Sequence, residues 1–468
     1  MSNILRKPTS VNEESKGRYE KFNLKENPFP STPAINKLNK DIRYNGKIYE
    51  SKIRESEFKK IETDFLKVSQ NDPNHIRLGF IIDDSYVGRG NGKSAFSLEL
   101  MRRINRENLL DISEGVNKCF CVHISPEPSG RTKSFYSLVD LMFEGILSLH
   151  YINYCLAVLR LEAIISARPD FKIEDAFSND EELVAKLNSR EWFEDENIEI
   201  APLTSSIYFS NQHISKTSPD FPLVKDKKSY FQFRVSTEEE FKNYYYQILK
   251  KGKERIDFFY NDLVLLFKAA GFNGAYFIID DFERIPDFQS DRAKRDFALE
   301  LRTNFFDGIS ENAKSGFYNL LLILHAGVPR LIEKAWSDTG MERRSPLSAD
   351  NLVSRHVVIF NKLNVDHAEL LLKRYLEEYR INPQQENELF PFTKEAISII
   401  SEKAELNAAS ILEKAHSFLE KAVESNKDIV DEEFVNQILG EKKEEKSDIV
   451  SKPDDDKSVN LFDKASDL

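Results

Sequence analysis

The sequence has little cysteine, methionine or tryptophan: three, four and two residues in a chain of 468. So few thiols exclude a disulfide framework. Cys119 and Cys121 form a C-x-C pair with no second ligand pair after it, so a structural zinc site would lack half its donors. Two small residues on one face of a buried strand is the plainer reading. No run of 18 apolar residues occurs, which argues against a membrane-spanning helix. The longest apolar stretch, Tyr151 to Ile165, is interrupted by Asn153, Arg160 and Glu162. Residues 1–16 lack the apolar core of a signal peptide, and a cytoplasmic location is expected. The eight histidines show no ligand spacing, which argues against a metal hydrolase. Excess basic charge is also missing. The formal net charge is −12, the wrong sign for an autonomous nucleic-acid binder. No internal repeat is present.

With 40% hydrophobic and 31% charged residues, the composition suits a globular protein of two to four domains. Strand-like apolar runs lie at Ile76–Ile82, Lys118–Ser125, Ala275–Asp280, Asn319–Leu324 and His356–Asn361. Helical periods lie between them, including one long helix over Glu238–Ala270. Alternation of this kind predicts an α/β core with a parallel sheet. From His367 onward the text is helical throughout. The expected division is a flexible segment at 1–18, a first part of the core at 19–149 and a mostly helical insertion at 150–240. A second part of the core at 241–362, a helical lid at 363–440 and a disordered acidic tail at 441–468 follow.

Gly88-Arg89-Gly90-Asn91-Gly92-Lys93-Ser94 sits between a strong strand and an amphipathic helix. Glycines in such a turn let backbone N–H groups surround a phosphate at the helix N-terminus. Lys93 would reach the β- and γ-oxygens, and the Ser94 hydroxyl would ligate Mg²⁺. The G-x-x-x-x-G-K-[ST] pattern expects glycine at position 87, where this chain has Val87. An ordinary β-to-α turn is the alternative.

Phosphoryl-transfer ATPases use a carboxylate at a second strand tip for the magnesium shell. Asp280 fits that role. Asp281 is the candidate base for water, with Glu283 as its substitute. His325, at the tip of the next strand, is the candidate γ-phosphate sensor. Arg343, Arg344 and Arg355 are candidates for an arginine supplied in trans.

On these residues the chain resembles the AAA+ ATPases, in the branch that holds ExeA, transposon-targeting ATPases and origin-recognition ATPases. Tyr19-x-x-Phe22-x-Leu24-x-x-Asn27-Pro28-Phe29 resembles the segment before the core in ExeA-like proteins, which lies near the adenine. Gly327-Val328-Pro329-Arg330-Leu331 resembles the text after their sensor strand, and Pro391 to His416 their lid. Leu406-Asn407-Ala408-Ala409 stands where the family often has Gly-Asn-Pro-Arg, and Asp281 stands where it often has Glu. The resemblance implies ATP and Mg²⁺ as cofactors, the strand order 5-1-4-3-2, and a homo-oligomeric ring or filament. It also implies ATP-dependent assembly or remodelling in a DNA-related process such as replication, transposition or phage defence. Two basic stretches, Lys225–Arg234 and Lys250–Arg255, are candidate DNA contacts. Weakened hydrolysis favours an alternative: a nucleotide-gated scaffold that recruits a protein through the insertion or the tail.

Overall fold

The computed structural model describes residues 17–66, 74–84, 89–110, 119–127, 132–199, 237–287, 289–308, 316–325, 329–347, 354–384 and 386–440. Contacts divide the chain into two compact units. One comprises residues 34–362; the other comprises 1–33 with 363–468.

Five apolar runs form a wholly parallel sheet in the larger unit. They are β1 (Leu78–Asp83), β2 (Cys119–Ile124), β3 (Gly274–Ile279), β4 (Tyr318–Leu324) and β5 (Val357–Phe360). The order across the sheet is β2-β3-β4-β1-β5, which is the implied order read from the other edge. β1 pairs with β4 at Ile82↔Leu324 and with β5 at Ile82↔Ile359.

Nearly every strand residue is buried, as expected where helices cover both faces. Period-two alternation sorts the side chains. Leu78, Phe80, Ile82, Phe120, Val122, Ile124 and Phe277 face one core. It is closed by α3 (Phe135–Ser148), α4 (Tyr151–Ala167) and the helices Leu263–Ala269 and Asp291–Leu301. Ile81, Cys119, Cys121, Tyr276, Ile278, Leu321 and Ile323 face the other. It is closed by α1 (Glu55–Ile61) and α2 (Lys93–Leu110), through Phe58, Phe96, Leu100 and Ile104. The result is three layers. The two cysteines are strand residues of this second core, and burial pushes the Cys119 thiol up to about 12. Gly79 permits the close approach of one neighbour: a Cβ there would lie 2.2 Å from the Phe65 ring.

Among the described residues no single helix is long and apolar enough to cross a membrane. α3 and α4 together are apolar but bent by 57°, and both pack on the sheet.

The long helix expected over Glu238–Ala270 is broken. Glu238–Asn243 runs into a π-turn at Tyr244–Ile248, and helix resumes at Lys253–Asp257. Gly252 lies at the join with φ +94°, a conformation glycine adopts without strain. The apolar period continues through the break, so periodicity alone could not show it. Within the insertion, two short helices follow one another, Asp180–Leu187 and Arg190–Asp195.

A second π-turn, Phe258–Asp262, ends on a buried carboxyl. Loss of hydration, with a smaller contribution from Asp257, pushes the Asp262 carboxyl up to about 8. Its folded value therefore exceeds its unfolded value near 3.9. Between those values the folded state holds the extra proton, so this group's contribution to stability falls as pH rises from about 4 to 8. The limiting slope is about 1.4 kcal/mol per pH unit. Asp262→Asn should flatten the decline in urea-unfolding free energy between pH 5 and pH 8. An unchanged slope would remove Asp262 as its source.

In the smaller unit, helices Val365–Tyr379, Lys394–Lys403 and Ala408–Glu424 pack together, with further helix over 432–440. The segment before the sheet unit belongs here. Phe29 packs on Tyr375 and Phe392, with ring centroids 6.2 and 5.8 Å away. Leu24 bridges Arg380. The Asn27 amide donates to Glu420 at 2.8 Å, and the Tyr19 hydroxyl donates to the same carboxylate. Residues 441–468 lie outside the described residues.

Candidate phosphate and cation site

Parallel strands put all their carboxyl ends on one edge. The chain leaves β1 through α2 to reach β2 at the far edge, then returns through β3 and β4 with its helices on the opposite face. This reversal is a topological switch point beside β1, where open α/β sheets bind ligands. The tips of β1, β4 and β3 supply Asp83, His325 and Asp280-Asp281 at this place.

Residues 84–92 join β1 to α2, a longer connection than the six-residue stretch of the phosphate-loop pattern. Gly88 lies outside the described residues. Gly90 and Gly92 have φ +97° and +86°, the backbone form that turns successive N–H groups to one side. A Cβ added at Gly92 would meet nothing within 4 Å, so the space above it is open. Arg89 is exposed, and its charge acts on the carboxyls of Asp281 and Glu283.

Asn91 has a structural task that its sequence position hid. It is buried, and its amide donates to the carbonyl of Asn361 at 3.0 Å. Its Oδ1 accepts from Arg54 at 2.9 Å, and Arg54 stacks on Phe360 at 4.5 Å. The side chain thus ties the loop to the tip of β5, and the Asn91 carbonyl also accepts from Arg54 at 3.3 Å.

Lys93 opens α2, and its ammonium pairs with Asp83. Both side chains are almost wholly buried, at 4% and 1% exposure. Asp83 was missed in the sequence, where it reads as the polar end of a strand. The available signal was a carboxylate ending a fully apolar strand ten residues before the lysine. Its other oxygen, Oδ1, is buried without a partner.

His325 links the strand tips. Its Nδ1 lies 3.1 Å from Lys93 Nζ and 3.4 Å from Asp83 Oδ2. Its Nε2 lies 3.5 Å from Asp281 Oδ1 and 3.2 Å from Glu283 Oε1. Hydrogen bonding to Asp281 and Asp83 outweighs burial and pushes the imidazole up to about 9. The same contact, foremost, holds the Asp281 carboxyl below its ordinary value. Burial raises Glu283. Asp281 adopts the left-handed conformation, φ 51°, which Asp tolerates better than most residues. Its second oxygen pairs with Arg284, which donates to the Pro126 carbonyl at 2.9 Å. The turn is therefore held from both sides.

Asp280 is buried and accepts from the Asp281 N–H at 3.0 Å. His123 Nε2 lies 3.7 Å from Asp280 Oδ2 and 3.0 Å from the Ser97 hydroxyl. This chain of groups joins α2 to Asp280, and neither Ser97 nor His123 was identified from the sequence. Ser94 is half-buried in the first turn of α2.

The three candidate arginines lie away from this cluster. Arg344 pairs with Asp307, which precedes β4, at 3.2 Å. Arg343 is its exposed neighbour, and Arg355 stands just before β5, 3.5 Å from Asp64. Arg344 and Arg355 thus mark the amino-terminal edge of the sheet. Of the basic stretches, Lys225–Arg234 lies outside the described residues. In the other, Arg255 is buried against Asp140 at 3.1 Å, which corrects the reading of it as a surface contact. Gly327 and Val328 also lie outside the described residues.

The chain matches no family model, and comparisons with curated proteins and with solved structures likewise find no match.

Proposed function

We propose that this chain is an ATP-binding protein of AAA+ type with slow hydrolysis, acting as an ATP-dependent assembly or remodelling component. One observation carries the reading furthest. A lysine in the first turn of the helix after β1 shares an edge with paired aspartates at the tip of β3 and a histidine at the tip of β4.

The residues suit a triphosphate with Mg²⁺. Positive-φ glycines and open space at Gly92 leave room for phosphate beside the amino terminus of α2. Gly88 to Ser94 would surround it, with Lys93 on the β- and γ-oxygens. The Ser94 hydroxyl and the Asp280 carboxylate would hold Mg²⁺, which supplies charge neutralisation on those oxygens. Asp281 or Glu283 would take the proton of the attacking water. Glu283 is the more basic of the two, because burial raises it while His325 lowers Asp281. His325 would sense the γ-phosphate. Arg343, Arg344 or Arg355 would complete the site of a neighbouring copy, in a homo-oligomeric ring or filament.

The process is drawn from the resemblance: assembly on DNA in replication, transposition or phage defence. A second reading, a nucleotide-gated scaffold that recruits a protein, has its own support. Lys93 is already neutralised by Asp83, so ATP must compete for it, which favours a resting state and slow turnover.

The test is thermal unfolding and light scattering with Mg²⁺ and ATP, ADP or neither. ATP at 100 times its Kd should stabilise the protein by about 2.7 kcal/mol, and the oligomer should change with nucleotide. Neither shift nor binding would end the ATP reading. Binding to duplex DNA with a steep salt dependence would separate the two processes; no binding at low salt would leave the scaffold.

A further inference from the structure

We propose that Asp281, Glu283 and His325 form a binding site for one divalent transition-metal ion, Zn²⁺ or Mn²⁺ in character, separate from the magnesium that accompanies nucleotide. It shares residues with the ATP reading but does not rest on it.

The geometry is the first support. One ligand atom from each of the three residues lies within 4.8 Å of the others. His325 Nε2 stands 3.2 Å from Glu283 Oε1 and 3.5 Å from Asp281 Oδ1. Donors about 2.0–2.1 Å from a tetrahedral ion stand about 3.3 Å apart. The two separations from His325 are therefore those of ligands around a common centre.

The second support is independent of the clustering. Glu283 is 6% exposed, and its Oε2 is buried with no hydrogen-bond partner. A buried, unpartnered carboxylate oxygen is costly, and a cation at this cluster satisfies it. Two carboxylates balance the charge of a divalent ion. Imidazole with carboxylates suits Zn²⁺ and Mn²⁺ better than thiolate-seeking ions.

The surroundings complete the pattern. A ligating histidine usually gives its other ring nitrogen to a carboxylate, which fixes the tautomer. Here His325 Nδ1 has Asp83 Oδ2 at 3.4 Å, with the Lys93 ammonium that pairs with this carboxylate at 3.1 Å. Asp281 is fixed by Arg284 through its other oxygen. Asp281 and His325 remain 25% and 20% exposed, so one side of the ion stays open for water or a ligand oxygen.

Full-length protein stripped with chelator is titrated with Co²⁺, then Zn²⁺, without nucleotide. One Co²⁺ per chain is expected, with the visible absorption of four- or five-coordinate cobalt, bleached by Zn²⁺. Glu283→Gln, Asp281→Asn and His325→Gln should each weaken binding about tenfold or more. His150→Ala removes an exposed histidine that pairs with Glu238, and should leave it unchanged. Circular dichroism checks that each variant is folded, and if one is not, the other two decide. Absence of cobalt absorption at millimolar Co²⁺ overturns the site, as does undiminished affinity in the folded variants. A protein that binds Mg²⁺–ATP but no Co²⁺ overturns this inference alone. One that binds Co²⁺ but no nucleotide overturns the ATP reading alone.

Discussion

Lys93→Ala is expected to abolish ATP binding and to lower the unfolding free energy by about 3–5 kcal/mol. The two effects have different causes. The lysine is the main cation for the β- and γ-phosphates in the proposed site. It is also the partner of Asp83, whose carboxylate is 1% exposed. Removing the lysine leaves that charge buried and uncompensated, and one oxygen of Asp83 already lacks a partner. Adding Asp83→Asn removes the stranded charge. The double variant should regain most of the lost stability and none of the ATP binding. Denaturant unfolding and nucleotide titration on the parent, both single variants and the double variant separate the terms. If Lys93→Ala is as stable as the parent, the Lys93–Asp83 pair does not stabilise the fold. If it binds ATP as tightly as the parent, the phosphate-loop reading fails.

The second large effect concerns Asp280. Asp280→Ala should retain much of the nucleotide affinity, because the phosphates are held from the loop. Magnesium-dependent turnover should fall about 10- to 100-fold, the range seen when outer groups around a metal are lost. Steady-state phosphate release across a magnesium titration measures this. Equal turnover at every magnesium concentration would take Asp280 out of the site. The substitution also removes the carboxylate beside His123, so a thermal melt of the variant separates chemistry from folding.

The sheet was legible because its strands are uninterrupted apolar runs, a pattern that burial on both faces imposes. Lys93 was legible from the glycines before it and the helix after it, and Asp280 because it ends such a run. Asp83 was not: its one signal, a carboxylate ending an apolar strand ten residues before the lysine, does not say that the lysine folds back onto it. The Asp281–Glu283–His325 cluster was hidden for another reason. Its histidine comes from the next strand, and only the parallel pairing of β3 and β4 brings the tips together. Metal-ligand spacing along the sequence cannot reveal such a set. Asn91 looked like a loop residue and is a tether. The break near Gly252 was hidden by an apolar period that continues across it.

The pairing of residues 17–33 with helices beyond residue 363 has a consequence for synthesis. Tyr19 and its acceptor Glu420 are separated by 401 positions. At about 5–20 residues per second, the earlier segment waits on the order of 20–80 s for its partner to be made. Tyr19, Phe22, Leu24 and Phe29 are all buried in the finished fold, and during that interval they have no native surface to bury against. The whole sheet unit is translated in between. The order of manufacture therefore opposes the order of the fold: a piece made before the sheet unit docks after it, and a nascent chain halted before residue 363 leaves those four side chains for a chaperone, or for another copy, to cover.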